Sequence, residues 1–211
     1  MIDNFDRILE AFLTTLRLFL VAGALSLVFG TILAGMRVGP IAILNRAGAL
    51  YVTIFRNTPL LVVLLLVVFG FPKLGVQLGY FNMNVLALTV YTSTFVCEAL
   101  RSGVNSIPLG QAEAARSIGL GFGQTMTQVI LPQSFRAVVP PIASVLIALT
   151  KNTSLCFIFG MFEATAAMKG LFNDHAGARI PIFIGIAFGY VIIVEVISAA
   201  AALIERRWRI A

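Results

Sequence analysis

The sequence predicts an all-α membrane protein of about five transmembrane helices, with a short polar helix at the membrane surface between the third and the fourth. Three observations carry this reading. Of the 211 residues, 59% are hydrophobic and 11% charged, against about 25% charged in soluble domains. Mean hydropathy is +0.98, more apolar side chain than one soluble core could bury. The apolar residues also come in runs of about 20, the length of a spanning helix. They lack the polar and apolar alternation that a membrane barrel needs in segments of about 10.

The first run, Leu18 to Met36, is uncharged between Arg17 and Arg37, and the acidic Asp3, Asp6 and Glu10 before it argue against a signal peptide. Gly23, Gly30 and Gly35 within it suit close helix packing. The second is expected from near Tyr51, across Arg56-Asn57-Thr58-Pro59, to Phe71. The third lies within Gly79 to Cys97 and has neither charge nor proline. The fourth is placed from about Pro140, through Lys151-Asn152-Thr153-Ser154, to Met161. The fifth runs from Ile180 to Ile204 with Glu195 as its sole charge, expected to find an ion pair or hydrogen bond inside the bundle. Cys97 and Cys156 stand in apolar runs without metal-ligand spacing and read as small hydrophobes. The lone His175 reads as an outer-loop residue, and no metal site is expected.

The net charge of +6 does not point to nucleic acid, because the basic residues form no face interleaved with aromatics. It reads instead as topology. Arg37, Arg46, Arg56, Arg101, Arg116, Arg136, Arg206, Arg207 and Arg209 fall on one side of the membrane, against Arg7, Arg17, Lys73, Lys151, Lys169 and Arg179 on the other. The positive-inside rule then predicts the amino terminus outside and the carboxyl terminus in the cytoplasm.

The loop between the third and fourth spans is the least hydrophobic long stretch, and a short helix is predicted within 106–119. Ser106 is a candidate cap, Pro108 suits a first turn, Glu113 and Arg116 are spaced to pair, and Gly119 can end the helix left-handed. At roughly 16 Å it is too short to cross a bilayer. It should lie along the inner surface, where its alanines could dock in a groove of another protein.

Glu113-Ala114-Ala115, three residues, Gly119, nine residues, Val129, one residue and Leu131-Pro132 resemble the Glu-Ala-Ala motif of ABC-importer permeases, with Val129 in place of the usual isoleucine. Arg56-Asn57-Thr58-Pro59-Leu60-Leu61, Glu98 and Arg101, Pro108, Gly110-Gln111, Leu131-Pro132-Gln133 and Lys151-Asn152-Thr153-Ser154-Leu155 are similar to the polar amino-acid branch of that family. Tyr91-Thr92-Ser93-Thr94-Phe95 departs from it. That variant, with Arg116 to Gly123, resembles glutamate-uptake permeases of actinobacteria.

The resemblance implies a type I importer permease fold, a single permease domain over 1–211, and a location in the bacterial plasma membrane. It makes 106–119 the coupling helix, with Gly110, Gln111, Glu113, Ala114, Ala115, Arg116 and Gly119 as the residues that meet a cytoplasmic ATPase. It further implies two ATPase subunits carrying ATP and Mg, a second permease subunit (a paralogue or an identical copy) and an extracytoplasmic solute-binding protein. The chain has no Gly-x-x-x-x-Gly-Lys-Ser/Thr stretch, so it is not expected to bind ATP itself, and no catalytic set stands out.

The polar residues inside the spans are the candidates for the solute path, because charge at membrane depth usually faces a bundle interior or water. They are Arg56, Asn57, Thr58, Lys151, Asn152, Thr153 and Ser154. Lys151 with the three donors after it could take a carboxylate within one helical turn, or snorkel to the outer interface. Asn57 and Thr58 can satisfy backbone groups freed by Pro59. The expected function is an importer permease for a polar amino acid, L-glutamate first and glutamine as the alternative. A small channel, or a scaffold whose helix only tethers a partner, is the rival.

Overall fold

The computed structural model describes residues 4–208. Asp3, Arg209 and the last residues, on which part of the charge argument rests, lie outside the described residues. The elements described are helical throughout. They are α1 (Phe5–Val38), α2 (Ala42–Asn57), α3 (Leu60–Lys73), α4 (Tyr80–Asn105), α5 (Leu109–Ser117), α6 (Phe122–Phe159), α7 (Ala164–Asp174) and α8 (Arg179–Trp208). Four of them, α1, α4, α6 and α8, are long and apolar enough to cross a membrane, and α2 with α3 makes a fifth if the bent pair is one span.

Helix α4 is the centre of the bundle. In its most apolar window 67% of the residues are buried, against 11% for α8. Helix α1 reaches it through Gly30, where a Cβ would stand 2.9 Å from the Ser93 carbonyl oxygen. Helix α6 reaches it through Gly103, where a Cβ would run into Val138. Gly23 makes no such approach, a Cβ there meeting Leu149 at an ordinary 3.5 Å, and Gly35 has nothing within 4 Å. Of the glycines expected to pack tightly in the first span, only Gly30 does.

The second span is not continuous. Helices α2 and α3 meet at 101°, because Pro59 bars the helical region to Thr58, which lies extended at φ −89° and ψ 129°. Asn57 and Thr58 bond other carbonyls than that of Phe55, the one Pro59 frees: the Asn57 Nδ2 donates to the Thr53 carbonyl at 2.8 Å, and the Thr58 Oγ1 at 2.8 Å to that of Ile54, which also takes the Thr58 N–H. Helix α3 is only about 21 Å long at 1.5 Å per residue.

The fourth span begins well before Pro140. Helix α6 starts at Phe122 and carries Pro132, Pro140 and Pro141 within it. Wide π-type turns over Thr125–Ile130 precede Pro132, whose missing N–H cannot close a normal turn. The polar Gln124, Gln128, Gln133 and Arg136 gave this stretch the look of a loop. The end of α6, Thr153–Phe159, tightens to 3-10 turns, and Gly160 stops it at φ +79°.

Helix α7 was not foreseen. Its cap is Glu163, which accepts from the Ala166 N–H at 2.9 Å. After it, Asp174 pairs with Arg7 at 2.9 Å and the His175 ring meets the Asn4 side chain at 3.2 Å, so the start of α8 lies beside the start of α1. At the other end, Thr31 and Leu100 share an apolar groove with Ala200 and Ile204. The amino end of α1 and the carboxyl end of α8 are therefore on opposite faces of the bundle. Cys97 and Cys156 are both buried free thiols.

Candidate functional site

Helix α5 shows how local chemistry builds a docking element. Pro108 precedes it with ψ 135°. Ser106 does not cap it, because its hydroxyl donates to the Gly103 carbonyl at 2.7 Å and closes α4 instead. At the far end the Gly119 N–H bonds the Arg116 carbonyl at 2.9 Å and the Leu120 N–H that of Ala115 at 3.1 Å. This paired Schellman closure needs a left-handed residue, and Gly119 has φ +88°. Ala115 is turned inward, and the Gln111 Oε1 accepts from the Gln133 Nε2 at 3.4 Å, tying α5 to α6. Gly110, Glu113, Ala114 and Arg116 are exposed. Glu113 and Arg116 form no ion pair; the Arg116 Nε donates to the Ala112 carbonyl at 3.3 Å.

The run 151–154 does not act as one cluster. Consecutive helical residues point about 100° apart, and the structure separates them accordingly. Lys151 and Ser154 line a cavity of about 290 Å³ with Thr165, Met168 and Tyr190. Asn152 lines a different cavity, of about 380 Å³, with Tyr91, Thr92, Phe95 and Ser144. Thr153 is fully buried and donates to the Thr150 carbonyl at 2.7 Å. The expected set of a cation and three donors in one turn is therefore replaced by Lys151 and Ser154 with two hydroxyls from elsewhere.

Those two hydroxyls are held by a residue that the reading of the sequence did not select. Glu163 is fully buried, and its Oε2 accepts from the Tyr190 hydroxyl at 2.7 Å, which lies 3.2 Å from the Thr165 Oγ1. Next to it, the Ala164 N–H donates to the Thr15 Oγ1 at 3.1 Å. The Glu163 carboxylate thus fixes the cavity wall and joins α7 to α8, and the Ala164 N–H beside it adds α1. An acidic residue just before a helical run was the one available signal.

A second cluster gathers residues far apart in the chain. Glu98 of α4, with its side chain 19% exposed, pairs with Arg37 of α1, with Arg101 at 2.9 Å and with Arg56 of α2 at 3.7 Å. Only the Glu98–Arg101 spacing is local. Glu195, expected to pair inside the bundle, is on an exposed face of α8, with no ion pair or hydrogen bond among the described residues.

Comparison with known proteins agrees with this architecture. The family model described as "Binding-protein-dependent transport system inner membrane component" matches residues 26–210. The chain is 42% identical over 198 residues to the glutamate transport system permease protein GluC of Corynebacterium glutamicum, covering 88% of this chain and 87% of that protein. It is 34% identical over 209 residues to the probable glutamine ABC transporter permease protein GlnM of Bacillus subtilis, covering 97% and 94%. A solved structure described as an amino acid ABC transporter with histidines superposes with a TM-score of 0.91 at 28% identity, over 98% of this chain and 96% of that one. The MetNI methionine ABC transporter, at 24% identity and a TM-score of 0.80 over 99% of each chain, shares the fold. With these matches and the observed helices, the chain belongs to the inner-membrane components of binding-protein-dependent transport systems, a multi-pass membrane subunit that works with an ATPase, a binding protein and a second permease.

Proposed function

We propose that the chain is the permease subunit of an ATP-driven importer of a polar amino acid, and that its substrate is L-glutamate. The observation that carries the substrate is the cavity wall of Lys151, Ser154, Thr165 and Tyr190, whose one charged group is the Lys151 ammonium and which holds no carboxylate; the three hydroxyl protons are spent within the protein. Glu163 stands behind that wall with its oxygens already engaged. A carboxylate leaving water needs a cation and donors, and the Lys151 ammonium supplies both through its N–H groups. The likeness to the corynebacterial protein named for glutamate supports the same substrate.

Lys151→Met tests it. Losing a hydrogen bond to a charged group costs about 1.5–3 kcal/mol, so glutamate uptake should fall about 10- to 100-fold while assembly with the ATPase holds. A fall in assembly with unchanged selectivity would make Lys151 an interfacial anchor. Wild-type uptake blocked by excess glutamine and untouched by excess glutamate would overturn the acidic substrate and leave the importer standing.

In the same reading, residues 1–211 form one permease domain, and 106–119, with α5 at its centre, is the coupling helix. Gly110, Glu113, Ala114, Arg116, Leu109 (81% exposed) and Ile118 (77% exposed) face outward toward an ATPase cleft, while Gln111 and Ala115 hold the helix on α6 and Gly119 closes it. Two ATPase copies bind ATP and Mg, and a paralogous permease completes a path that one bundle of this size cannot enclose. Asn57 and Thr58 shape the break beside Arg56. The amino terminus is outside and the carboxyl terminus cytoplasmic, in keeping with the opposite placement of the two ends. A protease site fused after residue 211 should be cut only once the membrane is opened; cleavage in intact cells would reverse this orientation.

A further inference from the structure

Arg56 is the loosest member of the Glu98 cluster. Arg101 donates to the Glu98 Oε2 at 2.9 Å and to its Oε1 at 3.4 Å, and Arg37 holds the Oε1 as well. Arg56 approaches the same Oε2 at 3.7 Å, too far for a hydrogen bond. Its side chain is 50% exposed, against 18% for Arg37 and 34% for Arg101. Its other partner is the Phe95 ring, with the guanidinium carbon 5.9 Å from the centroid. Three guanidiniums around a single carboxylate leave an excess of positive charge, and of the three Arg56 is the one that makes no hydrogen bond to Glu98. Phe95 also lines the cavity that Asn152 and Ser144 share. Ser144 to Asn152 spans about 12 Å of helix, and Phe95 lies on the part of α4 that leads toward α5.

We propose that Arg56 is a second carboxylate-binding station, beside the Phe95 ring that lines the Asn152 cavity and separate from the Lys151 cavity, and that Glu98 is its exchangeable counter-ion. The proposal rests on the reading of an acidic amino acid as substrate. An incoming carboxylate accepts two N–H donors from the Arg56 fork, the bidentate geometry for which guanidinium is suited. Glu98 gives up only its longest contact and keeps Arg37 and Arg101, so no buried charge is left unpaired. When Arg56 swings back to Glu98 the solute is released. A hold that can be exchanged in this way lets a charged solute cross without being trapped.

The test is ATP-driven uptake of labelled L-glutamate by the whole transporter, permease with its ATPase and binding protein, in proteoliposomes. Wild type is compared with Arg56→Gln and Arg56→Lys, with ATP hydrolysis stimulated by the loaded binding protein as a second readout. Arg56→Gln is expected to lower the maximal rate of uptake at least tenfold, with KM within twofold of wild type and stimulated hydrolysis within twofold. Arg56→Lys, which restores a cation, should recover the rate to within about threefold. Wild-type uptake in Arg56→Gln overturns the proposal. So does equal loss of uptake and stimulated hydrolysis in both variants, which would make Arg56 a structural pin. A wild-type transporter that carries glutamine and no glutamate overturns the substrate reading and this station with it. Glutamate uptake by wild type and Arg56→Gln alike removes the station alone.

Discussion

Gly119→Val is expected to uncouple transport from ATP hydrolysis while the membrane bundle stays intact. Gly119 sits at φ +88°, and a non-glycine residue held in a sparsely populated backbone region costs about 1–3 kcal/mol. A β-branched side chain belongs at the top of that range. A Cβ would meet nothing within 4 Å, so the whole penalty is conformational and falls on the closure made by the Gly119 and Leu120 N–H groups. The last turn of α5 then opens and the exposed face of Glu113, Ala114 and Arg116 loses its shape. Uptake should drop tenfold or more, with the ATPase either dissociating or hydrolysing ATP without transport. Normal uptake with unchanged ATPase stimulation would remove α5 from the coupling path.

Gly30→Leu is expected to prevent stable packing of α1 on α4. A Cβ at this position would lie 2.5 Å from the Val96 Cβ and 2.9 Å from the Ser93 carbonyl oxygen. The second is backbone of the central helix and cannot move aside. Overpacking by extra methylenes costs about 1–3 kcal/mol even where side chains can adjust, and here α1 would have to be displaced. Gly35→Ala is the control, since nothing lies within 4 Å of its Cβ and alanine is favoured in a helix by about 1 kcal/mol. Purified protein should lose yield and thermal stability with Gly30→Leu and keep both with Gly35→Ala. Equal melting of the two variants would mean that the α1–α4 approach is looser than the structure has it.

The features that the sequence alone determined are those whose physics is complete within a turn or two of chain. Hydropathy over about 20 residues marks a span whatever lies beside it, so α1, α4 and α8 were legible at once. The left-handed stop at Gly119 was legible too, because it follows from the missing Cβ, and Pro59 announced a disturbance in the second span without its 101° size. The run before Pro140 was misread because glutamines and an arginine lower local hydropathy even when the helix continues through them. What only the tertiary structure decided is which face of each helix meets which neighbour. That azimuth depends on the close approaches at Gly30 and Gly103, each set by a residue on another helix. Hence Lys151 and Asn152, adjacent in the chain, serve different cavities, and Glu98 collects Arg37 and Arg56 from separate helices. Glu163 finds Tyr190 from 27 residues away. A buried carboxylate must be compensated, but its own sequence neighbourhood does not say by whom; the packing of helices that carry the donors does.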